Sequence, residues 1–508
     1  MEIDIFTISI DKMFFHDLIF IFLFLPLSVF LYYISGKTAR KYTLLLVSVI
    51  FTAWFNIYLT AVLFGSAVVN YFAAKAMKHS SSASRERVLF ITTITFNLLL
   101  LSAFKYFGFF SGLLNQLFSI AENGRPLIKT WVIPVGISFY TFRSISYLIS
   151  VKRGEVKAER SFINLAVYIS LFPQLIAGPI DRYRNLISQI INPSVSVDQF
   201  SSGIRRFIIG LAKKVLIATP LAMVADGIFA TPVGQLNAPL AWLGAIAYTL
   251  QIFYDFSGYT DMAIGIGKMI GMEFSENFNF PYIATSVKDF WKRWHITLSS
   301  WLRDYLFLPL AYARSKKMEK ERYFHLKTDH WIYIYATIIT FLICGFWHGA
   351  AWTFILWGFL HGIMLVLEQL GLGKWLKRSF RPLQHLYLLF FLLFSWVLFR
   401  SPSIPDAIHF AGVMMGAGEQ IGPNSSVAEY LDLRTIVVLI IAILLATPVF
   451  EKIGGSFKGI INKNSGLVKQ AGMNLYNSLG LIFLLILFAF SVMTIISGTS
   501  TPFIYFKF

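Results

Sequence analysis

The sequence predicts an all-α protein built of membrane-spanning helices, and three observations carry that class. Apolar runs of about 20 residues, the length that crosses a bilayer as a helix, recur along all 508 residues. Hydrophobic residues make up 56% of the chain and charged residues 14%, with a mean hydropathy of +0.65; soluble domains carry roughly 25% charged residues. Fifty-one Phe and 12 Trp supply more apolar aromatic surface than a water-soluble fold of this length needs. Disorder, a coiled coil and a soluble nucleotide-binding α/β enzyme are poor fits to these properties.

The runs lie near 14–34, 42–74, 89–120, 131–151, 161–180, 204–231, 237–270, 331–343, 351–370, 384–399, 435–450 and 476–497. The second and third are each long enough for two short helices, so the expectation is about 11–14 segments forming one membrane domain over 1–508. The first run is too long for the apolar part of a signal peptide, and no small-residue cleavage site follows it. It reads as the first membrane helix. No fixed repeat period is visible.

The 44 basic and 26 acidic residues leave a net charge of +18. The basic residues fall in short clusters between apolar runs, a pattern of cytoplasmic loops facing anionic lipid rather than of nucleic-acid binding. Lys37, Arg40 and Lys41 form one cluster, and Lys75, Lys78, Arg85 and Arg87 another. Lys374, Lys377, Arg378 and Arg381 form a third, and Lys452, Lys458, Lys463 and Lys469 a fourth. The segment 401–433 holds Asp406, Glu419, Glu429 and Asp432 without Lys or Arg. It reads as the main extracytoplasmic loop, which puts the N-terminus outside.

Residues 284–317 break the apolar pattern with Lys288, Asp289, Phe290, Trp291, Lys292, Arg293, Trp294 and His295. Such a segment is expected to be re-entrant or interfacial, because charges at membrane depth need protein or water around them. Lys213 and Lys214, inside an apolar run, mark a second irregular stretch. Ionisable residues inside spans are functional candidates, and His348, in Gly345-Phe346-Trp347-His348-Gly349, leads them. Flanking glycines let a substrate or a helix approach closely; the alternative is a histidine bonded across a helix interface. Alone, His295 also reads as a headgroup-facing residue. His361 lies 13 residues beyond His348, so on one straight helix the two face nearly opposite ways, which favours a structural role. Cys344, one turn before His348, reads as packing rather than as a nucleophile. The lone cysteine excludes an intramolecular disulfide and a cysteine metal cluster. Asp255 and Asp261 read as partners in buried hydrogen bonds or ion pairs, with a proton relay as the alternative.

The run Phe346-Trp347-His348-Gly349-Ala350-Ala351-Trp352-Thr353, continuing to Trp357-Gly358 and His361-Gly362, resembles the hallmark of the membrane-bound O-acyltransferases, and within them the alginate O-acetyltransferase group. Further blocks agree, in the family's order: Pro134 to Phe142, Phe172 to Ile180, Tyr254 to Met262, and Asp289 to Pro309. Arg143 stands where the family pattern has a glutamine-like residue, Leu310-Ala311-Tyr312 replaces a glycine pair, and residues 1–12 look like an added segment. The resemblance implies a ring of tilted and re-entrant helices around a central channel in the bacterial inner membrane. It implies that His348 is the catalytic histidine and His295 its supporting partner. Acetyl-CoA is the implied donor substrate, with no permanently bound cofactor. Trp291, Lys292, Arg293 and Arg303 are candidate contacts for the CoA phosphates, or lipid anchors. The implied acceptor is an exported polysaccharide, reached with periplasmic partner proteins. Peptidoglycan acetylation and D-alanyl transfer to teichoic acid are alternatives within the family, and a channel or transporter is the alternative outside it.

Overall fold

The computed structural model describes residues 13–117, 121–122, 125–126, 133–232, 234–417, 426–498, 501 and 503–504. The expected extension at 1–12 and Glu419 lie outside them. Seven helices among the described residues are long and apolar enough to cross a membrane: Ile57–Lys78, Ala83–Phe109, Val197–Phe229, Thr328–His348, Trp352–Arg378, Arg381–Arg400 and Gly466–Ile496. The pair Leu433–Leu445 and Val449–Asn462, bent by 65°, makes an eighth if it is one span. The protein is therefore an all-α, multi-pass membrane protein.

Several other runs form shorter or broken helices. The run 42–74 divides at Asn56 into Arg40–Phe55 and Ile57–Lys78. The Asn56 side chain accepts from Tyr58 N and Leu59 N, which satisfies two N–H groups that a helix start leaves open. The run 161–180 yields Phe162–Ser170 and Phe172–Leu175, the second with Pro173 in its first turn. The run 89–120, expected to hold two short helices, is instead one helix, Ala83–Leu117; no proline interrupts it, and intrahelical bonding is the cheapest state for backbone in an apolar medium. Lys213 and Lys214 do mark an irregularity, the π-helical stretch Lys213–Ala218. The expected outer loop 401–433 carries a helix of its own, Ile404–Met414.

The chain forms two compact units, Met1–Phe207 with Thr260–Ser275, and Ile208–Tyr259 with Glu276–Phe508. In the first, Phe24, Phe51 and Phe172 meet pairwise with ring centroids 5.7 Å apart. Asn70 and Asn97 exchange amide hydrogen bonds of 3.1 and 2.8 Å between neighbouring helices, the polar bond that apolar surroundings favour. The divergent Arg143 is fully buried and donates from Nη1 to Tyr168 O and Ile169 O. These carbonyls lie at the C-terminal end of Phe162–Ser170, where the helix dipole favours a cation. Asp261 pairs with Arg206 at 2.6 Å.

In the second unit Lys214 Nζ lies 2.7 Å from Asp255 Oδ1, both side chains buried. Ile504 N donates to Asp255 Oδ2 at 2.8 Å. This supports the structural reading of Asp255. Asp255→Ala leaves the lysine charge without its carboxylate and is expected to destabilise the chain by about 3–5 kcal/mol. Thermal unfolding in detergent should show a large loss for that variant and substantial recovery when Lys214→Met is added.

Candidate active site

The helices Thr328–His348 and Trp352–Leu367 are joined by three residues, and glycine sets how closely they pack. A Cβ on Gly345 would lie 2.3 Å from Phe354 O, and one on Gly358 would lie 2.2 Å from Phe341 O. Each glycine therefore fits against backbone of the facing helix. His348 is the last residue of its helix and is buried. Its ring lies 4.6 Å from Trp347, 5.1 Å from Trp357 and 5.1 Å from Phe399, between centroids. Phe354 and Phe399, both beside the His348 ring, also line a cavity of 220 Å³. The imidazole thus stands at a helix end, in an aromatic collar next to open space.

The expected irregular segment is a succession of short helices: Val287–Phe290, Ile296–Leu302, the π-helical Arg303–Phe307, and Leu308–Ser315. His295 stands between the first two with φ 42° and ψ 54°, a left-handed conformation uncommon for a residue with a side chain. Backbone held this way requires support from its surroundings, and Asn277 supplies it. Asn277 O accepts from Ile296 N at 2.9 Å. Asn277 Oδ1 accepts from Thr297 N at 3.2 Å and Thr297 Oγ1 at 2.9 Å, and lies 3.1 Å from His295 Nδ1. A backbone N–H can only donate, so this amide atom is oxygen, and Nδ1 must carry the proton in a bond to it. Burial lowers the His295 pKa to about 3, so the ring is neutral. Nε2 then holds the lone pair, buried and with no hydrogen-bond partner among the described residues. It is oriented to accept a proton.

A second support fixes the segment's start. Glu368 accepts from Val287 N at 2.6 Å and Lys288 N at 3.0 Å, and Tyr387 OH donates to the same carboxylate at 3.0 Å. Sequence reasoning missed Asn277 and Glu368. Neither belongs to a local motif; each acts on backbone many residues away.

His361 and His348 lie on separate helices, because the chain breaks at Gly349–Ala351 and turns back. Trp357 consequently lies beside both imidazoles, 5.1 Å from His348 and 4.6 Å from His361. His361 Nδ1 accepts from Trp291 Nε1 at 3.2 Å, which ties the irregular segment to the hairpin and supports a structural role. Of the four candidate CoA contacts, Trp291 is buried with its N–H engaged by His361. Arg293 pairs with Asp289 and donates to Asn279 O. Arg303 pairs with Asp304 while remaining 62% exposed, and Lys292 is exposed. Cys344 is buried one turn before His348. Trp294, Trp396 and Phe399 are linked by contacts of 5.1 and 5.6 Å, and Phe399 reaches His348. This aromatic chain connects the His295 segment to the other histidine.

Gly358→Ala places a methyl group against a backbone carbonyl and is expected to lower the unfolding temperature and the yield of folded protein. Gly480→Ala, where a Cβ meets nothing within 4 Å, should leave both unchanged or raised. Thermal unfolding of the two variants side by side checks the helix crossing.

A family model for MBOAT, the membrane-bound O-acyltransferase family, matches residues 122–404, more than half of the chain. A probable alginate O-acetylase AlgI of Azotobacter vinelandii is 35% identical, over 98% of this chain and all of its own length. The protein of the same description in Pseudomonas putida is 37% identical over the same shares. A peptidoglycan O-acetyltransferase of Helicobacter pylori is 33% identical over 87% of this chain and 88% of its own. With its multi-pass helical body and buried histidines, this chain belongs to the membrane-bound O-acyltransferase family and is an O-acyltransferase.

Proposed function

We propose that this enzyme takes acetyl groups from cytoplasmic acetyl-CoA and passes them across the bacterial inner membrane for O-acetylation of an exported, alginate-like polysaccharide. The observation that carries this reading is His348, buried at a helix end beside a cavity and within an aromatic collar. Full-length similarity to alginate O-acetylases supports acetyl as the group and a polysaccharide as its destination. Periplasmic partner proteins complete the delivery.

An acetyl thioester is already activated, so the enzyme needs a base, a stabiliser for the developing charge, and exclusion of water. In the proposed step a neutral His348 accepts the acceptor's hydroxyl proton as the oxygen forms a bond to the thioester carbonyl carbon. The tetrahedral intermediate collapses with cleavage of the carbon–sulfur bond. The thiolate of CoA leaves and takes up the proton held by the imidazolium. His295, its Nε2 lone pair directed by the Asn277 bond, orients or deprotonates a neighbouring group. Lys292 and Arg303 meet the CoA phosphates from the cytoplasmic side, Arg293 lends charge from its pair with Asp289, and Trp291 builds the wall behind them. The basic clusters at 37–41, 75–87, 374–381 and 452–469 face the cytoplasm in this arrangement, and 401–433 faces outward.

Membranes carrying His348→Ala are expected to lose transfer from labelled acetyl-CoA while the protein accumulates normally. His295→Ala should leave less than about a tenth of wild-type activity, since one acid–base group contributes about 10²–10⁴-fold. Cys344→Ala should retain most of it. Full activity in a well-expressed His348→Ala strain, or acetyl trapped on Cys344, overturns this mechanism. In a Cys344→Ala background, single cysteines at 401–433 should react with a membrane-impermeant thiol reagent in intact cells, and those at 374–381 should not.

A further inference from the structure

The helix that ends at His348 begins beside a second cavity, of 510 Å³, lined by residues of Leu308–Ser315, of Thr328–His348 and of the chain between them. Its walls are of two kinds. Arg314 and Lys317 supply two exposed cations, and among the described residues neither pairs with a carboxylate. The Arg314 guanidinium stands 5.2 Å from the centroid of the Tyr335 ring, a cation–π contact that keeps it at the cavity. Trp331, Ile334, Tyr335 and Ile338 line the cavity as one stripe of the helix. The stripe is roughly 10 Å long at 1.5 Å per residue. It runs from the first turn to the middle of a helix long and apolar enough to cross a membrane. Trp331 and Tyr335 thus stand where aromatic residues mark the membrane surface. The hairpin Arg322–Tyr323 with Leu326–Lys327 is fixed to the same place, because Trp331 Nε1 donates to Tyr323 O at 2.9 Å. At its tip Phe324 is 89% exposed, with φ 54°. A large ring held outward on bonded backbone belongs in hydrocarbon rather than in water.

We propose that this cavity binds an anionic phospholipid, with its phosphodiester between Arg314 and Lys317 and one acyl chain along Trp331, Ile334 and Ile338. A phosphodiester carries one negative charge and only accepts, whereas guanidinium and ammonium groups only donate. Between residues 314 and 329 the chain carries six Lys and Arg against three Asp and Glu. That field favours a headgroup without a cation of its own and disfavours a zwitterionic lipid. The isoleucine stripe selects the remainder of the ligand. A hydrocarbon chain leaves no polar group unmet there, but the amides of CoA or of an extended peptide would lie against it unbonded. A free phosphate would engage the cations and leave the stripe empty. The bound lipid would join Leu308–Ser315, the last short helix of the irregular segment that holds His295, to the helix that carries His348. Binding it requires no acetyl transfer.

The test uses the full chain, delipidated in detergent, with native mass spectrometry and thermal unfolding. Phosphatidylglycerol should bind at least about tenfold more tightly than phosphatidylcholine of the same chains and raise the unfolding temperature. A photoreactive acyl chain on it should crosslink within 328–339. Arg314→Gln combined with Lys317→Gln should abolish the preference and leave lipid-free unfolding unchanged, because both side chains are exposed. Lys452→Gln with Lys458→Gln, in a different basic cluster, should keep it. Ile338→Trp, which fills the apolar part with both cations intact, should weaken phosphatidylglycerol binding. Equal affinity for the two lipids, a preference that survives the loss of both cations, or crosslinks confined to other helices overturns the proposal. So does stabilisation by inorganic phosphate equal to that by the lipid, or displacement of the lipid by CoA. Should the double variant fail to fold, Ile338→Trp decides, and unchanged lipid affinity there overturns the site.

Discussion

The site depends on a constraint of the apolar interior: backbone that leaves helical geometry must find every hydrogen bond within the protein. Residues 276–302 leave it repeatedly, and two side chains bear most of the consequence. The Glu368 carboxylate accepts the first N–H groups of Val287–Phe290, and the Asn277 amide and carbonyl hold the His295 ring and the two residues that follow it. Because these bonds replace water, the segment can carry an imidazole in a left-handed conformation inside a protein interior. The same bonds select which nitrogen of that imidazole holds the proton. Fold and protonation state are here one arrangement.

The aromatic residues shape the same candidate site from another direction. Rings packed edge-on around His348 form an apolar collar at the end of its helix. The glycines at the helix crossing make that collar possible. Without a Cβ at Gly345 and Gly358, the two helices approach until backbone meets backbone, and Trp357 reaches both histidines. Larger residues would separate the helices and open the collar to solvent.

The class of the fold was legible in composition and in the recurrence of apolar runs, because lipid exposure is written into every residue of a span. His348 stands out in the sequence as a candidate because glycines and tryptophans are its neighbours there. The irregular nature of 284–317 was legible from charge alone. What escaped was whatever depends on contacts between distant residues. A single asparagine 18 residues before His295 has no local signature, nor does a glutamate more than 80 residues beyond Val287. The structural role of His361 was legible from its spacing, but its bond to Trp291 was not, because that bond joins residues 70 positions apart.

Polar atoms in the second unit therefore divide into two kinds. Lys214 with Asp255, and Glu368 with its two amides, answer each other and hold the chain together. The Tyr248 hydroxyl, Gln251 Oε1 and His295 Nε2 are buried without such answers among the described residues. In an interior where each unanswered group weakens the fold, retaining several of them near the candidate site is costly unless a bound molecule satisfies them. Selectivity in such a site comes from the penalty of leaving those groups unmet as much as from the bonds that are made.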